Sequence, residues 1–361
     1  MLSNLTIKSI AARAVLAPIP RPLRTASGDI LAAPLALVDV QTSEGIVGRG
    51  YAFAYAPLML RSLVQFLRDV ESDLVGKAVA PRERMRQLDR RLKIVGWQGV
   101  AGMAVSALDM ALWDALGRAV DLPVAALLGG EVKPLDAYDS YGVLDLKTDL
   151  AWIEASVGSG FEAIKIKLGA GDVTNDIMIV AAVRKLIGPK VRLMIDFNQS
   201  QTTATAIERI LRLKEFDLTW VEEPVAADDL LGHHAVRRAV APVPIQTGEN
   251  WWFPRGMAHA IAAGASDLAM VDIGKIGGIT GWISAAGQAE AASLPLSNHI
   301  FVEASAHAMT SSPTASWFEY LDLAGAVLTE PLSPTKGKVI PRGPGLGIEW
   351  DEEAVRKNAF E

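Results

Sequence analysis

The sequence predicts an α/β protein, a closed parallel barrel of βα units preceded by a smaller α+β domain. Three observations carry this expectation. With 361 residues, the chain is too long for one small core and suits a large domain with a smaller one beside it. Its first third reads as antiparallel strands followed by helices, the pattern of an α+β domain. Beyond residue 134, short apolar runs that finish in polar residues alternate with helix-like segments.

In chain order, "LALVDVQTSEGIVGRGYAFAY" has two apolar runs around Thr42, Ser43, Glu44 and Gly45, a hairpin signal. "APLMLRSLVQFLRDVESDLVG" and "GVAGMAVSALDMALWDALGRAV" have helical periodicity. This domain is expected to end near "LLGGEVKP", where Gly129, Gly130 and Pro134 break the pattern. Eight runs follow: "LDAYDS", "EAIKIK", "VRLMIDFNQ", "LTWVEEP", "VPIQTGEN", "LAMVDIGK", "LPLSNH" and "WFEYLD". From the second run on, their distinctive polar residues are Lys167, Asp196, Glu222, Glu249, Asp272, His299 and Glu319, spaced 29, 26, 27, 23, 27 and 20 apart. A βα unit takes about 30 residues. Active sites of parallel barrels gather at the C-terminal ends of the strands, where these residues fall. "GPGLGIEW" reads as a turn, because no helix pattern follows its glycines. The expected division is 1–130 for the capping domain, 131–325 for the barrel and 326–361 for a C-terminal segment returning to the cap.

Composition narrows the function classes. A net charge of −6 argues against nucleic acid and against an acidic membrane surface as partners. There is no cysteine, so disulfides, thiol catalysis and zinc–thiolate sites are excluded. The N-terminus has no sustained apolar segment and no run of about 18 uncharged apolar residues occurs, so a cytoplasmic enzyme is the expectation.

Asp196, Glu222 and Glu249 sit on three successive expected strand ends. Carboxylates so confined repel each other unless a hard cation joins them, and oxygen-only ligands favour one Mg²⁺. Taken singly, each is more often a solvated acid or a helix cap. Lys165 and Lys167, two apart in "EAIKIK", point to one face of their strand, towards the same mouth. Each is expected to depress the other's pKa, leaving one neutral near pH 7 as a base. His299 and Asp272 form a candidate proton-transfer dyad on the opposite wall. Two opposed bases with a cation between them suit abstraction of a proton next to a carboxylate. The cation and Lys165 would meet the enolate charge, and Glu319 would donate a hydrogen bond if held protonated.

The motifs "YAFAYAP", "ALDMALWDALG", "KIKLG", "DFNQS", "WVEEP", "TGENW", "KIGGITGW" and "SNHIFVEASAH" together resemble the mandelate racemase subgroup of the enolase superfamily. The resemblance implies a modified TIM barrel, (β/α)7β, with an α+β N-terminal capping domain. It implies Asp196, Glu222 and Glu249 as Mg²⁺ ligands, Lys167 as the base for one enantiomer, and the His299–Asp272 dyad as the base for the other. Lys165 would contact the substrate carboxylate, with Glu319 as electrophile. Asn198 and Ser140 match further polar contacts, and Lys275 a supporting one. Phe53 and Tyr55 match an aromatic wall, while Ile30, Ser27 and Asp29 lie in a loop facing the substrate. A small carboxylic acid substrate is implied, and a homo-oligomer, an octamer by resemblance. The leading expectation is racemisation of a mandelate-like 2-hydroxy acid. The alternative is dehydration of an acid sugar, with His299 protonating a leaving hydroxyl.

Overall fold

In the computed structural model, which describes residues 5–25 and 28–360, the N-terminal strands form an antiparallel sheet of β1 (Ile7–Thr25), β2 (Gly28–Thr42) and β3 (Val47–Phe53). The turn expected at Thr42–Gly45 joins β2 to β3, and Thr42 Oγ1 closes it by accepting the Ile46 N–H at 3.1 Å. A longer hairpin of β1 with β2 precedes it, its register shifting between Pro18 and Leu23. Helix α1 (Leu60–Leu74) buries Leu60, Leu63, Leu67 and Leu74, one stripe at helical spacing. Helix α2 (Pro81–Leu92) buries only Pro81, Met85 and Leu88.

Helix α3 (Val100–Ala119) crosses β3 at close range. Only glycine permits the approach, since a Cβ on Gly50 would stand 2.6 Å from the Ala107 carbonyl oxygen. Among the described residues α3 alone has the length and hydropathy of a membrane span, but it is mostly buried in the fold. Its Asp109 accepts the Thr280 N–H at 2.8 Å and the Thr280 hydroxyl at 2.6 Å, so the helix is a core element that pins the cap to the barrel. Short α4 (Val124–Leu127) leads out of the cap.

The barrel has eight parallel strands: β4 (Leu135–Val143), β5 (Ala163–Lys167), β6 (Arg192–Asp196), β7 (Leu218–Glu222), β8 (Ile245–Thr247), β9 (Leu268–Asp272), β10 (Leu296–His299) and β11 (Phe318–Tyr320). Between them run α5 (Leu150–Gly158), α6 (Val173–Ile187), α7 (Thr203–Leu213), α8 (Leu230–Val240), α9 (Phe253–Ala263), α10 (Ile273–Ile276), α11 (Gly278–Ala291) and α12 (Val302–Thr310). Side-chain caps start several of them: Asp172 accepts the Asn175 N–H, and Thr202 forms a capping box with Thr205. Register sets the site, with Lys167 opposite Asp196, Asp196 opposite Glu222, and His299 opposite Asp272.

The ring is nearly closed, and its seam lies between β10 and β11. There the Asn298 amide replaces strand pairing, its Oδ1 accepting the Glu319 N–H at 2.8 Å and its Nδ2 donating to the Glu319 carbonyl at 3.3 Å. Tyr138, Ala163, Met194 and Trp220 fill the barrel interior as a separate apolar cluster. The last strand β12 (Lys338–Val339) pairs antiparallel with β4, and α13 (Glu352–Lys357) lies near β1, where Leu16 N–H donates to the Asn358 carbonyl at 2.9 Å.

Candidate active site

The strand ends deliver ionisable groups to one mouth. Lys167, Asp196, Glu222, Asp272 and His299 are the last residues of β5, β6, β7, β9 and β10; Glu249 lies two residues beyond β8 and Glu319 in the middle of β11. All seven are buried, as is Lys165. One oxygen from each of Asp196, Glu222 and Glu249 can lie within 4.8 Å of the others.

Each of these three carboxylates meets a base. Lys167 Nζ lies 2.5 Å from Asp196 Oδ2, Lys165 Nζ 2.8 Å from Glu222 Oε1, and His299 Nε2 3.2 Å from Glu249 Oε2. Lys165 also reaches Glu319 Oε1 at 2.8 Å. On the dyad, His299 Nδ1 is 2.7 Å from Asp272 Oδ2, while Asp272 Oδ1 accepts the Gly274 N–H at 2.6 Å. That second bond orients the carboxylate towards the imidazole.

Charge and burial explain the titration. Burial pushes Glu222 up to about 8; Lys165 opposes this, and Asp196, Glu319 and Glu249 add to it. Burial acts on Glu249 too, but the charges of His299, Lys167 and Lys275 outweigh it and hold Glu249 down at about 2.

Two expectations need correction. Burial lowers Lys167, but Asp196 and Glu249 outweigh it and raise its pKa, and Lys165 is raised by Glu222 and Glu319. The lysines therefore do not depress one another into neutrality, because each is paired with a carboxylate within 3 Å whose charge outweighs that of the other lysine. Nor is Glu319 held protonated. Burial favours the neutral acid, but Lys165 and His299 prevail and lower its pKa, and Ile300 N–H bonds Oε2 at 2.9 Å.

A cavity of about 790 Å³ opens above these groups. Ser140, Asn198 and Lys275 line it from the barrel, and Asp29, Ile30, Phe53 and Tyr55 from the cap. Ser27 lies outside the described residues. Asn250 and Glu223 were not singled out in the sequence. Asn250 Nδ2 donates to Glu223 Oε1 at 2.9 Å and its Oδ1 accepts from Lys275 Nζ at 2.7 Å, so this amide holds the lysine beside the carboxylates. Its signal was its position directly after Glu249 in "TGEN".

The donor set suits a hard divalent cation. Among the described residues, six carboxylates (Asp196, Glu222, Glu223, Glu249, Asp272 and Glu319) but only three lysines and one histidine are buried around the mouth. With all six ionised and every base charged, two negative charges remain; this excess helps to push Glu222 up to about 8, and one divalent ion would offset it. The converging ligands are all oxygen, which selects Mg²⁺ over softer metals.

Comparison with known proteins agrees. Residues 9–129 match the mandelate racemase / muconate lactonizing enzyme N-terminal domain, and residues 149–354 match the enolase C-terminal domain-like family. The chain thus belongs to the mandelate racemase/muconate lactonizing enzyme group of the enolase superfamily. It is an enzyme of Mg²⁺-dependent enolate chemistry. A crystal structure of an enolase from Bradyrhizobium, complexed with magnesium and mandelic acid, is 52% identical with a TM-score of 0.97, over 100% of both chains. The 3,6-anhydro-alpha-L-galactonate cycloisomerase of Streptomyces coelicolor is 32% identical, over 94% of this chain and 96% of its own. The L-talarate/galactarate dehydratase of Salmonella typhimurium is 33% identical, over 89% of this chain and 81% of its own.

Proposed function

We propose that the enzyme racemises a 2-hydroxy acid bearing an apolar, mandelate-like substituent, with Lys167 and His299 as the two bases. The carrying observation is that these bases reach one cavity from well-separated strands. β5 and β10 are three strands apart round the ring one way and five the other. A substrate held between them can lose its α-proton to one base, and the planar enolate that results can gain a proton from the other base on its opposite face, which inverts the carbon. Asp196, Glu222 and Glu249 would hold the Mg²⁺, which would supply positive charge against the negative charge growing on the substrate carboxylate.

The residues take the following parts. Lys165 donates to the substrate carboxylate, and its charge helps to hold Glu319 ionised beside it. A cation held by Asp196 and Glu249 would weaken the two contacts that raise Lys167, so that its amine could accept a proton. Asp272 fixes the ring of His299 through Nδ1, so that Nε2 is the atom that exchanges protons. Ser140 and Asn198 supply polar contacts at the same wall.

The cap decides the substituent. Ile30 and Phe53 from the cap, with Leu321 and Leu323 after β11, make the cavity wall apolar, and no arginine lines the cavity among the described residues. A sugar diacid would need a cation for its second carboxylate; Asp29 offers the wrong sign. The enolase crystallised with mandelic acid supports this reading. A second reading, dehydration of an acid sugar by the same bases, draws on Asp29 and on the dehydratase relatives.

Incubation of each enantiomer of mandelate, and of a panel of acid sugars, in D₂O separates the two. Racemisation predicts deuterium exchange without loss of water. K167A should keep exchange from one enantiomer only, and H299N from the other only. Absence of enantiomer selectivity in both variants contradicts the two-base scheme.

A further inference from the structure

The cap contributes more than a wall. Tyr55 follows β3 and lines the cavity, but its hydroxyl does not simply face substrate. It donates to Asp272 Oδ2 at 3.0 Å, the same oxygen that meets His299 Nδ1 at 2.7 Å. With Gly274 N–H on Oδ1 at 2.6 Å, the dyad carboxylate is gripped by three groups, one of them from the cap.

Two features hold Tyr55 in this pose. Its φ of 59° is a conformation that bulky residues rarely adopt, so the surrounding structure must fix the backbone there. Its ring packs at 4.5 Å from that of Phe53 on one hand and carries the Lys275 ammonium at 4.4 Å on the other. Lys275 is itself tied to Asn250. The opposite base is held differently. Lys167 pairs with Asp196, whose other oxygen accepts the Asn198 N–H at 2.6 Å, and all of these groups belong to the barrel.

We propose that Tyr55 is a positioning residue through which the cap orients the His299–Asp272 dyad, leaving Lys167 outside its control. The proposal rests on the two-base reading above. The two half-reactions then depend unequally on the cap, although the overall equilibrium between enantiomers does not. Loss of the hydroxyl leaves the ring, the wall and the lysine contact in place, and removes one charge-assisted bond from a buried carboxylate.

The test is Y55F placed in the two single-base backgrounds, with α-hydrogen exchange from (R)- and (S)-mandelate followed by NMR in D₂O. Y55F should slow the His299-driven exchange that survives in K167A by about ten- to hundred-fold, the range for one hydrogen bond to a charged group. The Lys167-driven exchange that survives in H299N should fall far less, so the ratio of the two rates shifts by about the same factor. Equal slowing in both backgrounds would overturn the proposal and leave Tyr55 a packing residue. No slowing in either would overturn it as well. Absence of exchange from both backgrounds with Tyr55 intact would instead sink the two-base reading, and this proposal with it.

Discussion

Lys165→Met tests the charge balance of the site. The ammonium is buried and lies 2.8 and 3.0 Å from the two Glu222 oxygens and 2.8 Å from Glu319 Oε1. A methionine of similar reach keeps the packing but strands two buried carboxylates. Breaking a buried ion pair by removing one partner costs about 3–5 kcal/mol. With unfolding entropy near 2 cal/mol/K per residue over 361 residues, a loss of about 3 kcal/mol lowers the midpoint by about 4 °C. The assay is equilibrium urea and thermal denaturation, first with chelator and then with saturating Mg²⁺. K165M should be clearly less stable without metal, and the gap should narrow when Mg²⁺ binds, since the ion supplies charge to Glu222. A metal-free K165M as stable as the parent would refute the reasoning. So would a gap that Mg²⁺ leaves unchanged.

Other outcomes follow from the same physics. His307 is held near a pKa of about 4 by burial, with Nδ1 accepting the Ala125 N–H at 3.1 Å and Nε2 donating to the Arg342 carbonyl at 2.8 Å. Below the ordinary histidine value of about 6.5 the unfolded chain gains a proton that the folded chain refuses, so stability falls with pH, by about 2 kcal/mol at about pH 5; H307Q should flatten that fall in urea titrations, and equal slopes would refute the assignment. Thorough chelation should abolish α-proton exchange and added Mg²⁺ restore it; exchange that survives chelation would remove the metal from the chemistry. Gly50→Ala should destabilise by about 1–3 kcal/mol, because the methyl would stand 2.6 Å from a backbone oxygen of α3, and a neutral denaturation midpoint would show that the helix can move away.

The barrel was legible because most of its strands are short apolar runs with a polar residue at or near the end, so the spacing of those residues counts the βα units. The site was legible for the same reason: Lys167, Asp196, Glu222, Asp272 and His299 are last residues of their strands. The cap was harder to read. Strand β1 contains Pro18, Pro20 and Pro22 and many alanines, which break period-two alternation, and only its pairing with β2 defines it. Helix α2 is so polar that its three buried residues make no visible stripe.

Titration was the least legible level. The sequence places Lys165 beside Lys167 and so suggests mutual repulsion, but it does not reveal that Glu222 and Asp196 each stand within 3 Å of a lysine nitrogen. Glu223 was hidden because adjacent residues of a strand point to opposite faces, which leaves Glu222 alone for the mouth. The chain turns after β7, with φ of 34° at Glu223, and its carboxylate joins Asn250 at the same mouth. Tyr55 was read as a wall because its bond to Asp272 spans 217 residues of sequence and two layers of the fold.

The most direct measurement is a crystal structure with Mg²⁺ and a bound 2-hydroxy acid. The account predicts one ion touched by Asp196, Glu222 and Glu249, with Lys167 Nζ and His299 Nε2 on opposite faces of the α-carbon. An ion held by other ligands, or both nitrogens on one face of that carbon, would contradict it.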